Sequence, residues 1–271
     1  MQNEQFPYVF CSGSCRLLTS IYDGRGKVIP IHSMFRNFTG INFLGKLHNT
    51  KQHIQFLKFV LGKITIPENI LKMFLISYAE NVKNTVGNCE PRDLIPIKIK
   101  SIRDHFNLCS AYLFEICSLK IYEKDGFQIQ CELTNDNYLR EQTKQEIIND
   151  LEELYNLIPK GKRIIFQCHF RQNIIHNNPA KKIENREIIY SALIEFQKTH
   201  NNVIVCDPSD LVKNNLQYYD GDKHFWESGH LAFFEVLLNL INQPERITFK
   251  NNLSIFSKDY LLGLWKMRLS I

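Results

Sequence analysis

Apolar residues along this chain follow two kinds of pattern. Short continuous runs, rich in β-branched and aromatic residues, lie at 8–11, 111–117, 163–168 and 203–206. Runs of this length, bounded by small or turn-forming residues, predict strands buried on both faces. Lys27-Val28-Ile29-Pro30-Ile31-His32 predicts a further strand at an edge or terminal position, because Pro30 has no amide hydrogen to give a ladder. Longer stretches repeat apolar residues at helical spacing, at 54, 57, 60 and 61 within 50–61 and at 147, 148, 151, 154 and 155 within 139–157. These predict amphipathic helices. Helices are also predicted over 16–22, over 67–78 with Pro67 in the first turn, over 183–199 and over 229–241. Two short runs at 120–122 and 127–132 flank Glu123-Lys124-Asp125-Gly126 and predict a hairpin.

Strands apolar throughout, alternating with helices, require a parallel sheet covered on both faces. The predicted fold is therefore α/β, a three-layer sandwich with about five parallel strands. One domain spans 1–245, and within it 33–110 reads as a mainly helical insertion or cap after the second strand. The stretch 84–96 is polar and broken by Gly87, Pro91 and Pro96, as a loop would be. Residues 246–271 alternate apolar positions with Lys250, Lys258, Lys266 and Arg268. They read as an amphipathic tail packed on the domain, with a membrane-surface or subunit contact as the other reading. Neither an internal repeat nor a low-complexity segment is present.

Composition narrows the class without choosing a function. The 271 residues are 44% hydrophobic and 23% charged, which excludes wholesale disorder. A net charge of +5 tolerates an anionic partner but does not demand nucleic acid, and none is expected. The eight cysteines stand at 11, 15, 89, 109, 117, 131, 168 and 206 with no CxxC pair. Several lie inside apolar runs and read as buried free thiols of a reducing compartment. Cys11 and Cys15 with His32 could be read as metal ligands, but no second ligand pair has matching spacing, so no metal is expected. The opening Met-Gln-Asn-Glu-Gln is not a signal peptide. The longest apolar run, 231–241, is too short for roughly 30 Å of hydrocarbon. The expectation is a cytoplasmic protein with no transmembrane segment.

In an open α/β sheet, ligands sit beyond the carboxyl ends of the strands. The first strand delivers Ser12-Gly13-Ser14-Cys15-Arg16 there, the second His32, the third Ser118, and the fourth His169 and Arg171. The segment before the last helix delivers Asp220-Gly221-Asp222-Lys223-His224. Gly13 permits a sharp strand-to-helix turn. Cys15 would then start a helix, where the dipole and free N–H groups favour a thiolate and could hold an oxyanion. A phosphate-cradling turn or a plain glycine turn is the other reading of the same residues. A nucleophile needs a base, and the base a carboxylate to orient it, roles that His224 and Asp222 can fill. His48 and His53 read as solvated or packing residues near a helix, and His230 as a packing or capping residue of the last helix. Glu115, inside an apolar strand, must find a partner such as a nearby arginine.

Together these blocks resemble the SGNH/GDSL hydrolase superfamily. Gly13-Ser14-Cys15 is similar to its first block, with cysteine at the nucleophile position as in the GSCFA-like and polysaccharide acetyltransferase-like branches. Asp222-Lys223-His224, followed by Gly229, is similar to its last block, and Asp220 is the alternative carboxylate. The glycine of the second block and the Gly-x-Asn of the third are not at their expected places. Gly40-Ile41-Asn42 falls before the third strand, and Ser118 stands roughly where the third block would.

The resemblance implies an SGNH/flavodoxin-like sheet and an O-acyl esterase or acetyltransferase, on a small-molecule or carbohydrate substrate. Cys15, His224 and Asp222 would be catalytic, and Gly13, Ser14, Ser118, His32, His169 and Arg171 would serve the oxyanion or the substrate. It requires no cofactor and allows acyl-CoA as acyl donor. The alternative is a non-catalytic SGNH-like domain that binds a glycan or nucleotide-sugar at the same edge. A third reading is a phosphate-ester or nucleotide-handling protein using the Gly13 turn and Arg171, although no full phosphate-loop signature is present.

Overall fold

The structure is a computed structural model describing residues 9–14, 16–17, 20, 38–39, 47–74, 99–100, 102–130, 138–171, 180–212, 218, 225 and 227–242. Its centre is a parallel sheet of four strands: β1 (Val9–Ser12), β3 (Ala111–Glu115), β7 (Arg163–Gln167) and β8 (Val203–Cys206). A two-residue pairing, β2 (Phe38–Thr39), runs parallel along the outer edge of β1, so the order is β2-β1-β3-β7-β8. The expected count of about five is corrected to four full strands and this short edge. Residues 27–32, expected to form the second strand, lie outside the described residues.

Each full strand is built from the apolar runs of the sequence, and the pairing register shows why. Cys11, Leu113, Ile165 and Ile204 lie side by side across the sheet, and so do Phe10, Tyr112, Ile164 and Val203 one residue earlier. The first row enters one buried cluster and the second row enters another, on opposite faces. A strand covered on both sides has no wet face, so alternation disappears from its sequence.

One face is covered by α1 (Thr50–Val60), α3 (Lys144–Leu157) and α4 (Ala180–Thr199), with α2 (Glu68–Phe74) alongside. Phe56 of α1 reaches Phe10, and Phe196 of α4 reaches Phe166. The helix over residues 50–60 therefore belongs to the layer covering the sheet. The other face is covered by Leu17, α5 (Ser209–Val212) and α6 (Glu227–Asn242). Arg163 donates to the carbonyls of Leu240 and Ile241, both at 2.8 Å, which ties the end of α6 to the start of β7.

Local signals explain the element ends. Asn49 caps α1 and Thr143 caps α3, each in a reciprocal box with the residue three positions on, Gln52 and Glu146. The second cap corrects the helix expected over 139–157. Its first residues form β6 (Tyr138–Glu141), which pairs with β4 (Lys120–Lys124), itself paired with β5 (Phe127–Gln128). Asp125 (φ 53°) and Gly126 (φ 79°) make the turn of the predicted hairpin, both in the left-handed region that a tight two-residue turn needs. The expected helix over 67–78 is described as far as Phe74. No helix among the described residues is long and apolar enough to cross a membrane.

Candidate functional site

Strand order places the site. From β1 the chain pairs with β2 on one side and with β3 on the other, and the crevice at such a reversal is where open α/β sheets bind ligands. What the sequence brings to this crevice is polar and enclosed. Ser12, Ser14, Arg16, His53 and Glu115 are all buried there.

Glu115 is the hub. It ends β3 and its carboxylate is fully enclosed, 0% exposed. One oxygen accepts from the Ser14 backbone N–H and from the Ser14 hydroxyl, each at 2.7 Å. The other oxygen accepts from Arg16 Nε at 2.6 Å, and Arg16 also donates to Ser14 Oγ at 3.0 Å. Burial pushes the carboxyl up, but the Arg16 charge, the two Ser14 hydrogen bonds and the more distant His48 outweigh it and hold Glu115 ionised, below its ordinary value of 4.5. The partner arginine expected for Glu115 is thus Arg16, four residues beyond the end of β1.

Gly13 makes this approach possible. A Cβ at position 13 would lie 2.7 Å from the Glu115 Cβ and 3.1 Å from Leu17 Cδ2. Any other residue would push β3 away from the turn. The Gly13 carbonyl accepts from Leu47 at 3.0 Å, and the His48 carbonyl accepts from Cys117 at 2.8 Å and from Ser118 at 3.0 Å. The exits of β1 and β3 are thereby stitched to the segment that leads into α1.

His53 completes the network from the opposite face. Its Nε2 lies 2.9 Å from the Glu115 carbonyl and its Nδ1 lies 3.0 Å from Ser12 Oγ. A carbonyl only accepts, so Nε2 carries the proton and Ser12 donates to Nδ1. Burial lowers the ring's pKa from 6.5 to about 4, against the opposing pull of Glu115, so the imidazole is neutral near pH 7. Of the solvated or packing roles expected for His53, burial excludes the first; the ring packs edge-on against Phe114 and also bridges β1 and β3.

The other sequence candidates are distributed as follows. Cys15, His32, Asp220, Asp222 and His224 lie outside the described residues. Gly13 and Ser14 are in the network just described. Ser118 is at the next turn, where its hydroxyl accepts from Lys120 N–H at 3.1 Å. His169 and Arg171 form a separate cluster at the end of β7. Arg171 is bound to Asp207 at 2.6 Å and to Glu187 at 3.0 Å, and it stacks 3.6 Å over Tyr190. Buried His169 faces Arg186 at 3.2 Å. His230 on α6 lies 2.8 Å from Ser20 Oγ. At Gly229, in the first turn of α6, a Cβ would lie 2.3 Å from the Tyr218 carbonyl, so glycine is required where the last sequence block places one.

Two site features escaped the sequence reading. The Ser12–His53 pair joins residues 41 positions apart, and no local pattern announces it. Gln167 closes β7 beside Glu115 and is 1% exposed. Its signal was present as a polar residue in the apolar run Ile164-Ile165-Phe166-Gln167-Cys168. Among the described residues, no group of three or more His, Cys, Asp and Glu side chains is arranged to hold a metal ion.

No protein-family model matches this chain, and no curated protein matches it.

Proposed function

We propose that the chain is an SGNH-type acyl-transfer enzyme, an O-acyl esterase or acetyltransferase, with Cys15 as nucleophile. The observation that supports this reading best is the Glu115 clamp. Ser14 and Arg16, the two chain neighbours of Cys15, are both bound to one buried carboxylate at the carboxyl ends of β1 and β3. A covalent catalyst needs its nucleophile on a rigid turn at the ligand crevice, and this clamp is an economical way to hold one.

The chemistry then proceeds in two halves. His224, oriented by Asp222 or by the alternative carboxylate Asp220, takes the Cys15 proton. The thiolate attacks the acyl carbonyl carbon, and backbone N–H donors of the turn stabilise the oxyanion. The carbon–oxygen bond of the ester breaks, His224 returns the proton to the departing alcohol, and a thioester remains on Cys15. Water or an acceptor hydroxyl attacks this thioester, gives its proton to His224, and regenerates the thiolate. A carbohydrate is the substrate class suggested by the family resemblance.

The test is hydrolysis of p-nitrophenyl acetate by wild type, Cys15→Ala and His224→Ala, with His230→Ala as control. Both of the first two variants should lose turnover while the control keeps most of it. Equal slow rates in wild type and Cys15→Ala would overturn the assignment.

A further inference from the structure

Among the described residues, the buried polar side chains around Glu115 are bonded to one another, with one exception. Gln167 is 1% exposed, yet neither its side-chain nitrogen nor its side-chain oxygen has a hydrogen-bond partner. Two other buried glutamines are only half in this condition. Gln128 and Gln130 leave their oxygen without a partner, but their nitrogens donate to Glu123 and to the Phe74 carbonyl. Enclosing an amide with both ends idle carries a desolvation penalty that a leucine or methionine of similar size would avoid.

The position of this idle amide is informative. Gln167 is the last residue of β7, in register with Glu115 on β3 and Cys206 on β8. Residues in register share a face, so Gln167 points to the α6 side, as the Glu115 carboxylate does, one strand spacing (about 4.8 Å) away. It therefore stands at the carboxyl edge of the sheet, next to the residue that clamps both neighbours of Cys15.

Glutamine is neutral and offers donors and an acceptor side by side. The complementary group is also neutral and both donates and accepts, as a hydroxyl does. An ester carbonyl alone could satisfy only the nitrogen. From this juxtaposition we infer that Gln167 contacts the substrate and sets its specificity, its amide pairing with a hydroxyl on the alcohol side of the ester. This rests on the acyl-transfer reading above.

The experiment compares two alkyl acetates that differ in hydroxyl groups, glycerol monoacetate and propyl acetate. They are given to wild type, Gln167→Met and Gln167→Leu, with thermal unfolding of each protein and p-nitrophenyl acetate turnover of wild type measured alongside. Wild type should favour glycerol monoacetate. In both variants the ratio of kcat/KM for the two esters should fall by about tenfold, the worth of a lost hydrogen bond. Their Tm should stay level or rise, because an idle amide has been removed. An unchanged ratio in folded variants, or no preference in wild type, overturns the role of Gln167 alone. A drop in Tm of several degrees marks an internal partner, an enclosed water included, and also overturns it. Wild type inactive on all three esters overturns the acyl-transfer reading and this inference together.

Discussion

Replacing Glu115 by glutamine tests the central claim about the β1–β3 junction. The carboxylate presents two acceptors to three donors: Ser14 N–H and Ser14 Oγ on one oxygen, Arg16 Nε on the other. An amide has one oxygen. If that oxygen faces Ser14, the amide NH2 meets the Arg16 N–H, donor against donor. If it faces Arg16, the NH2 meets the Ser14 N–H. In both orientations the Arg16 guanidinium, 5% exposed, loses its counter-charge. Breaking one side of a buried ion pair costs about 3–5 kcal/mol. For a domain of this size that corresponds to a fall in Tm of roughly 10 °C. The assay is urea unfolding of wild type, Glu115→Gln, Arg16→Met and the double variant. The double variant should recover a large part of the loss, giving a coupling energy of at least about 2 kcal/mol, because it leaves no charge stranded. Ester turnover by folded Glu115→Gln should fall as well if Cys15 is the nucleophile. A loss below about 1 kcal/mol in Glu115→Gln, or additive single variants, would refute the clamp.

Three further outcomes follow from the same geometry. His53 has its pKa lowered from 6.5 to about 4, so below pH 6.5 the unfolded chain takes a proton that the folded chain refuses. Its contribution is fully present above about pH 6.5 and is lost as the pH falls toward 4, about 3 kcal/mol in all, and urea midpoints measured across that range should show a steeper slope in wild type than in His53→Gln. Gly13→Ala places a methyl 2.7 Å from the Glu115 Cβ and should cost about 1–3 kcal/mol in the same unfolding assay, and a change within 0.5 kcal/mol (about the noise of surface substitutions) would contradict the close approach. Burial pushes the thiols of Cys11, Cys168 and Cys206 well above 9.0, so iodoacetamide followed by mass spectrometry should label them only after denaturation, and native labelling would contradict their enclosure.

The chain announces its sheet because burial on both faces leaves a mark that local composition can carry. The runs at 111–117, 163–168 and 203–206 are apolar without alternation, and each became a strand between two helical layers. The hairpin was legible because Asp125 and Gly126 are residues that accept left-handed backbone. The start of α3 was not legible from periodicity alone. Apolar spacing continues back through Leu139, and only the Thr143–Glu146 capping box marks where the helix begins.

The site divides along the same line. Sequence alone determined that Gly13, Ser14 and Cys15 follow the first strand and that a buried carboxylate inside β3 would need a cation. Which cation it finds, and what that pair holds, was decided by tertiary structure. Arg16 and Glu115 are 99 positions apart and meet only because β1 and β3 are hydrogen-bonded neighbours. His53 and Ser12 meet only because α1 lies across that same pair of strands. Periodicity reports which side of an element is buried, whereas the partner of a buried polar group depends on strand order and register, which no local stretch of sequence encodes.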